Sequence, residues 1–126
     1  MSMRYQAAII KPGFNPLGTQ TSGYQNAIYS WGQNSSGELG QNNTINLSSP
    51  VQVGALTNWA QSSAGNAFST CVKTDGTLWT WGDNYYGQLG DGTTVDKSSP
   101  VQVGALTSWY QVSAGGYHTT ALYGVV

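Results

Sequence analysis

The chain repeats itself at a fixed offset of fifty residues without an insertion or a deletion. The ten residues Ser48 to Thr57 return unchanged as Ser98 to Thr107. Around them Trp31-Gly32 matches Trp81-Gly82, Asn34 matches Asn84, and Gly37-x-Leu39-Gly40 matches Gly87-x-Leu89-Gly90. Trp59 recurs as Trp109, Gln61 as Gln111, and Ser63-Ala64-Gly65 as Ser113-Ala114-Gly115. A period of this length implies a supersecondary unit that buries its apolar faces only by stacking on copies of itself. The match begins near Ile28, which divides the chain into residues 1–27, outside the repeat, and residues 28–126, two repeats.

Each unit reads as short strands. Trp59 to Ala64 leads to Ala67 to Lys73; Asp75-Gly76 then supplies a two-residue hairpin turn, and Thr77 to Trp81 returns antiparallel. After Gly82 a Gly-rich loop runs from Asp83 to Lys97, followed by a short strand, Pro100 to Val103, which its proline confines to a sheet edge or a strand start. Trp79 and Trp81 point to one face of their strand, Leu78 and Thr80 to the other, so both faces suit burial between neighbours. Four short strands per unit at this period predict a β-propeller blade rather than a β-solenoid.

Composition fits an all-β chain and narrows the partners. Seventeen glycines and fifteen aromatics stand beside only nine charged residues, and the formal net charge is −1. Four basic residues are too few to neutralise phosphate backbones, so nucleic acid is excluded as a partner. The single Cys71 rules out an internal disulfide framework and reads as a buried free thiol. No apolar run is long enough to span a membrane, and the apolar stretch near the N-terminus is too short for a secretion signal.

The segments Leu78 to Gly90 and Ala114-Gly115-x-x-His118-Thr119-x-Ala121-Leu122 resemble the repeats of the regulator of chromosome condensation family. The resemblance covers residues 28–126 and implies a β-propeller. The family includes a eukaryotic nucleotide-exchange factor, bacterial β-lactamase-inhibiting proteins, and many bacterial and viral members. Family members usually close a ring of about seven blades within one chain. Two units here, without basic loops, do not imply exchange-factor activity.

From Ile28 onward the expected order is half a blade (about 28–32 and 51–53), a full blade (about 59–103) and another half blade (about 109–122). Half blades leave unpaired backbone groups and uncovered apolar faces, and two blades cannot close a ring. The expectation is therefore a partial propeller completed by oligomerisation. The C-terminal half of one copy pairs with the N-terminal half of the next; a trimer of six blades is favoured and a tetramer of eight is its competitor.

Candidate sites follow from where the units differ. Ser35-Ser36 becomes Tyr85-Tyr86, and Asn66-Ala67-Phe68 becomes Gly116-Tyr117-His118, so Tyr85, Tyr86, Phe68 and Tyr117 are candidate partner contacts. Phe14, Pro16 and Leu17 lie in a proline-containing N-terminal segment that reads as an extended attachment arm. His118 is the sole histidine, but Phe68 holds its place in the first unit, so no catalytic residue is assigned. Asp83, Asp91 and Asp96 share a loop that lacks the calcium-hand pattern, and Gly87 to Gly92 lacks the lysine of a phosphate loop. Neither a metal nor a cofactor is expected. The sequence points to a non-enzymatic structural protein of a phage particle, a fibre, decoration or attachment component. Its arm would hold another virion or surface protein. The alternative is a secreted or surface propeller that binds a protein or a glycan.

Overall fold

The computed structural model describes residues 25–125. Phe14, Pro16, Leu17 and the rest of the expected arm up to residue 24 lie outside that span, as does Val126. All eight elements in the described residues are strands. A two-stranded sheet pairs β1 (Tyr29–Gly32) with β2 (Leu47–Gln52). A four-stranded antiparallel sheet runs in the order β3 (Trp59–Ala64), β4 (Phe68–Lys73), β5 (Leu78–Gly82) and β6 (Lys97–Gln102). A second two-stranded sheet pairs β7 (Trp109–Ala114) with β8 (Thr119–Tyr123). The expected half, full and half blades are all present. The outer strands β2 and β6 begin three to four residues earlier than the prolines alone suggested, and Pro50 and Pro100 sit within them, on sheet edges where a missing N–H costs no ladder bond.

The β4–β5 connection differs from expectation. Lys73 N–H donates to Thr77 O (2.9 Å) and Gly76 N–H to Lys73 O (3.0 Å), which leaves a three-residue loop, Thr74-Asp75-Gly76. Gly76 takes a φ of +83° while Asp75 stays in the ordinary region, so the connection is a turn ending in a left-handed glycine instead of a two-residue primed turn. Asp75 Oδ1 accepts from Thr77 N–H (3.0 Å) and Thr77 Oγ1 (2.6 Å), fixing that geometry. Space demands the glycine as well, because a Cβ at Gly76 would collide with the Thr107 carbonyl.

Strands β4 and β5 are central and covered on both faces. One face carries Trp59, Cys71 and Trp81 against Val53 and Ile28 of the first half blade. The other carries Val72 and Leu78 against Val112, Trp109 and Ala121 of the last half blade. Antiparallel sheets commonly leave one face to water; here the opposite faces of β5 serve two different blade contacts, as the alternation in Leu78-Trp79-Thr80-Trp81 predicts. Cys71 is fully buried, and burial pushes its thiol up to about 12.

Candidate functional site

Asn34 and Asn84 organise the long loops of the two units. Asn84 is fully buried; its Nδ2 donates to Asp91 Oδ1 (3.2 Å), Thr93 O (2.9 Å) and Val95 O (3.1 Å), and its Oδ1 accepts from Leu89 N–H (2.9 Å). Asn34 repeats the pattern with Asn43, Ile45 and Leu39. Four polar contacts from one buried amide hold a loop that has no ladder of its own.

The loop carboxylates are used by the loop itself. Asp96 Oδ1 accepts from Asn84 N–H (2.8 Å), as Asn46 does from Asn34 N–H (2.8 Å), so a neutral amide performs the same task. Asp83 accepts from Tyr85 N–H (3.1 Å) and Gln88 Nε2 (3.3 Å). Burial raises the Asp91 carboxyl, but Thr93, Asn84 and Lys97 outweigh it and hold the group below its usual range. Its ion pair with Lys97 spans 3.4 Å. Among the described residues no group of three or more His, Cys, Asp or Glu could hold a metal ion.

His118 lies in a structural turn. Its carbonyl accepts from Gly115 N–H (2.8 Å), just as the Phe68 carbonyl accepts from Gly65 N–H (2.8 Å), and the imidazole lies where a Cβ on Gly115 would be.

Three of the four described candidate contacts converge. Tyr85, Tyr86 and Tyr117 are 73%, 65% and 55% exposed. Tyr86 stacks edgewise on Tyr85 (centroids 4.9 Å apart) and on Tyr117 (5.3 Å), while Asn66 Nδ2 donates to the Tyr117 hydroxyl (3.1 Å). The three rings form one exposed ledge where the full blade meets the last half blade. Phe68 is not part of it. It is buried at 1% exposure, packed against Gly65 and Gly82, because its strand is covered on both sides. The expectation that Phe68 contacts a partner is corrected to a core role.

Sequence reading missed the polar join between blades. The Gln61 side chain donates to Val112 O (2.8 Å) and accepts from Val112 N–H (2.7 Å), an amide standing in for a strand; Ser63 Oγ accepts from Ala114 N–H (3.1 Å). The Glu38 carbonyl likewise accepts two donors from the next blade, Trp81 Nε1 (3.0 Å) and Ser69 Oγ (2.8 Å). The repeat of Gln61 as Gln111 was the available signal, but its target is a backbone group that no sequence pattern marks.

Among the described residues the two outer half blades each leave one face uncovered. Trp81 is 2% exposed and its repeat mate Trp31 57%, and buried Val72 corresponds to exposed Leu122. Strand β1 pairs only with β2, and β8 only with β7, among the described residues.

The sequence profile described as the Regulator of chromosome condensation (RCC1) repeat matches residues 25–72 and 75–122, and a second profile of that description matches residues 60–88. No curated protein matches the chain. Human WBSCR16 is 25% identical, with a TM-score of 0.71 over 79% of this chain and 27% of its own. Prp20p of Saccharomyces cerevisiae, whose structure was described with its binding to Gsp1p and histones, gives 18% identity and a TM-score of 0.66 over 77% of this chain and 26% of its own. Yeast RCC1 (Prp20) bound to Kap60 gives 21% and 0.68 over 98% and 32%. The chain thus spans about a quarter to a third of the length of these proteins, and the likeness to the yeast structures shows the fold.

Proposed function

The chain belongs to the regulator of chromosome condensation (RCC1) repeat family, and from that premise we propose that it is a non-enzymatic interaction protein whose copies complete one another's half blades into a closed propeller. The observation that carries this reading is the pair Trp31 and Trp81: the same repeat position is uncovered at one end and fully covered inside. An uncovered tryptophan beside an unpaired strand edge is costly in water and prone to association. Three copies supply six blades, close to the family's usual number, and four supply eight.

The role we assign to the ring is structural, as a component of a phage particle, with residues 1–27 as the attachment segment. The segment's positions fifty residues before β3 and β4 share no residue with them, and the repeat contacts begin only at its end, where the Asn26 carbonyl accepts from Trp59 N–H (3.2 Å) as its mate Gly76 does from Trp109 N–H (3.0 Å). A second reading, a secreted or surface propeller that binds protein or glycan, is favoured by the Tyr85-Tyr86-Tyr117 ledge, since stacked tyrosines offer large contact area at small entropic cost.

Native mass measurement at micromolar concentration tests the ring: a discrete multiple of the 13.3 kDa chain is expected, and a folded monomer overturns it. Deleting residues 1–24 is expected to leave the ring and abolish incorporation into particles; Asn26 is kept because its carbonyl accepts from Trp59 N–H (3.2 Å) and its side chain donates to Trp59 O (3.0 Å). Glycan or protein binding lost on Tyr86→Ala would favour the second reading.

A further inference from the structure

Resting on the ring reading, we infer that the junction between copies copies the internal blade contact residue for residue: Trp31 of one copy seats against the Gln88 carbonyl of the next, and β8 pairs with β1 in one fixed register. The internal contact supplies a complete template. Trp81 packs on Val53, Trp59 and Cys71, approaches Gly40, and donates Nε1 to the Glu38 carbonyl, which also accepts from Ser69 Oγ.

Fifty residues on, the same surroundings form an open cleft of about 380 Å³, whose lining includes Gln88, Gly90, Val103, Trp109, Thr119 and Ala121. Each of these is the repeat mate of a group around Trp81. The Gln88 carbonyl already accepts from Thr119 Oγ1 (2.8 Å), the mate of Ser69, and the place of the second donor is open. At Gly40 a Cβ would run into the Trp81 ring, whereas at Gly90 it would meet only Val103 at an ordinary distance. The side chain with the right shape, donor and repeat position is Trp31, exposed on the opposite end of the molecule.

The register follows from the internal ladder. Ser69 faces Trp81, Thr70 faces Thr80 and Cys71 faces Trp79 in β4 and β5. Transposed by fifty residues, Thr119 faces Trp31, Thr120 faces Ser30 and Ala121 faces Tyr29 across the junction. A slip of one residue would turn Trp31 away from the cleft. The Gln61 clasp transposes as well: Gln111 of one copy takes the Ser62 backbone of the next, as Gln61 takes Val112. A second copy is the fitting occupant because each described end presents the half that the other lacks.

The test is a Ser30→Cys, Thr120→Cys double variant of the full chain, oxidised and run on a denaturing gel, with Ser30→Cys, Thr119→Cys as the one-residue slip; the buried Cys71 stays in place. Cross-linking is expected in the first variant, with a ladder ending at the ring number, and is expected to be absent in the second. Trp31→Ala is expected to keep the circular dichroism of the folded chain while its native mass falls to 13.3 kDa. If the wild-type chain is oligomeric but the first variant fails to cross-link, or Trp31→Ala stays assembled, this junction is overturned and the ring reading survives. A monomeric wild-type chain overturns both.

Discussion

Asn84 shows how much a single buried side chain can hold. Truncating it strands the N–H of Leu89 and the carbonyls of Thr93 and Val95 without their partner. Asn84→Ala is therefore expected to cost about 2–4 kcal/mol, since each buried polar group left unpaired costs roughly 1–3 kcal/mol, read as a lowered denaturant midpoint at unchanged slope. Titration adds a second prediction. Hydrogen bonding from Thr77 holds Asp75 below the usual carboxylate range, and Asp91 is likewise depressed. A depressed carboxylate stabilises the fold above its unfolded value and loses that contribution as pH falls through its folded value. Stability is thus expected to be level near neutrality and to decline below about pH 4, with Asp91→Asn declining less steeply in denaturation series across pH. Cys71, fully buried and with its thiol pushed up to about 12, is expected to react with a thiol reagent at pH 8 only after denaturant is added.

At the scale of elements, equal repeat positions carry unequal energetic weight. Phe68 and His118 follow equivalent turns and their carbonyls accept equivalent bonds, yet one is buried and the other exposed. In the unassembled Trp31→Ala background, Phe68→Ala is expected to cost about 3–5 kcal/mol as a core truncation, whereas His118→Ala, exposed within a single chain, is expected to stay within about 0.5 kcal/mol, both read by chemical denaturation. The strand count, their antiparallel pairing and the two-faced β5 were legible from the repeat and from residue alternation. The β4–β5 turn was not, because Asp-Gly suits two hairpin classes and the choice rests on the Asp75 bonds to Thr77 and on the closeness of Thr107. The blades also differ in chemistry. Lys73 lies over Trp79 (3.9 Å) and Trp59 (4.9 Å), while its mate Tyr123 stacks on Trp109 (5.1 Å). An ammonium between indoles in one blade becomes an aromatic pair in the other.

For the whole molecule, the proposed assembly ties stability to concentration. A species that binds only the folded state raises the apparent melting temperature by mass action. Thermal unfolding of the wild-type chain is accordingly expected to shift upward with protein concentration over the micromolar range, and that of Trp31→Ala to stay constant. Equal curves at all concentrations for the wild type would contradict the ring.

The fifty-residue repeat, its strands and its blade pattern were determined by sequence, because local propensity, alternation and turn residues are written in neighbouring positions. Three tyrosines separated by up to 32 residues could be singled out as differences between units, but only the tertiary structure brought them into one ledge and sent Phe68 into the core. Burial belongs to the neighbour an element acquires, and identical residues such as Trp31 and Trp81 diverge because only one of them has a blade packed against it.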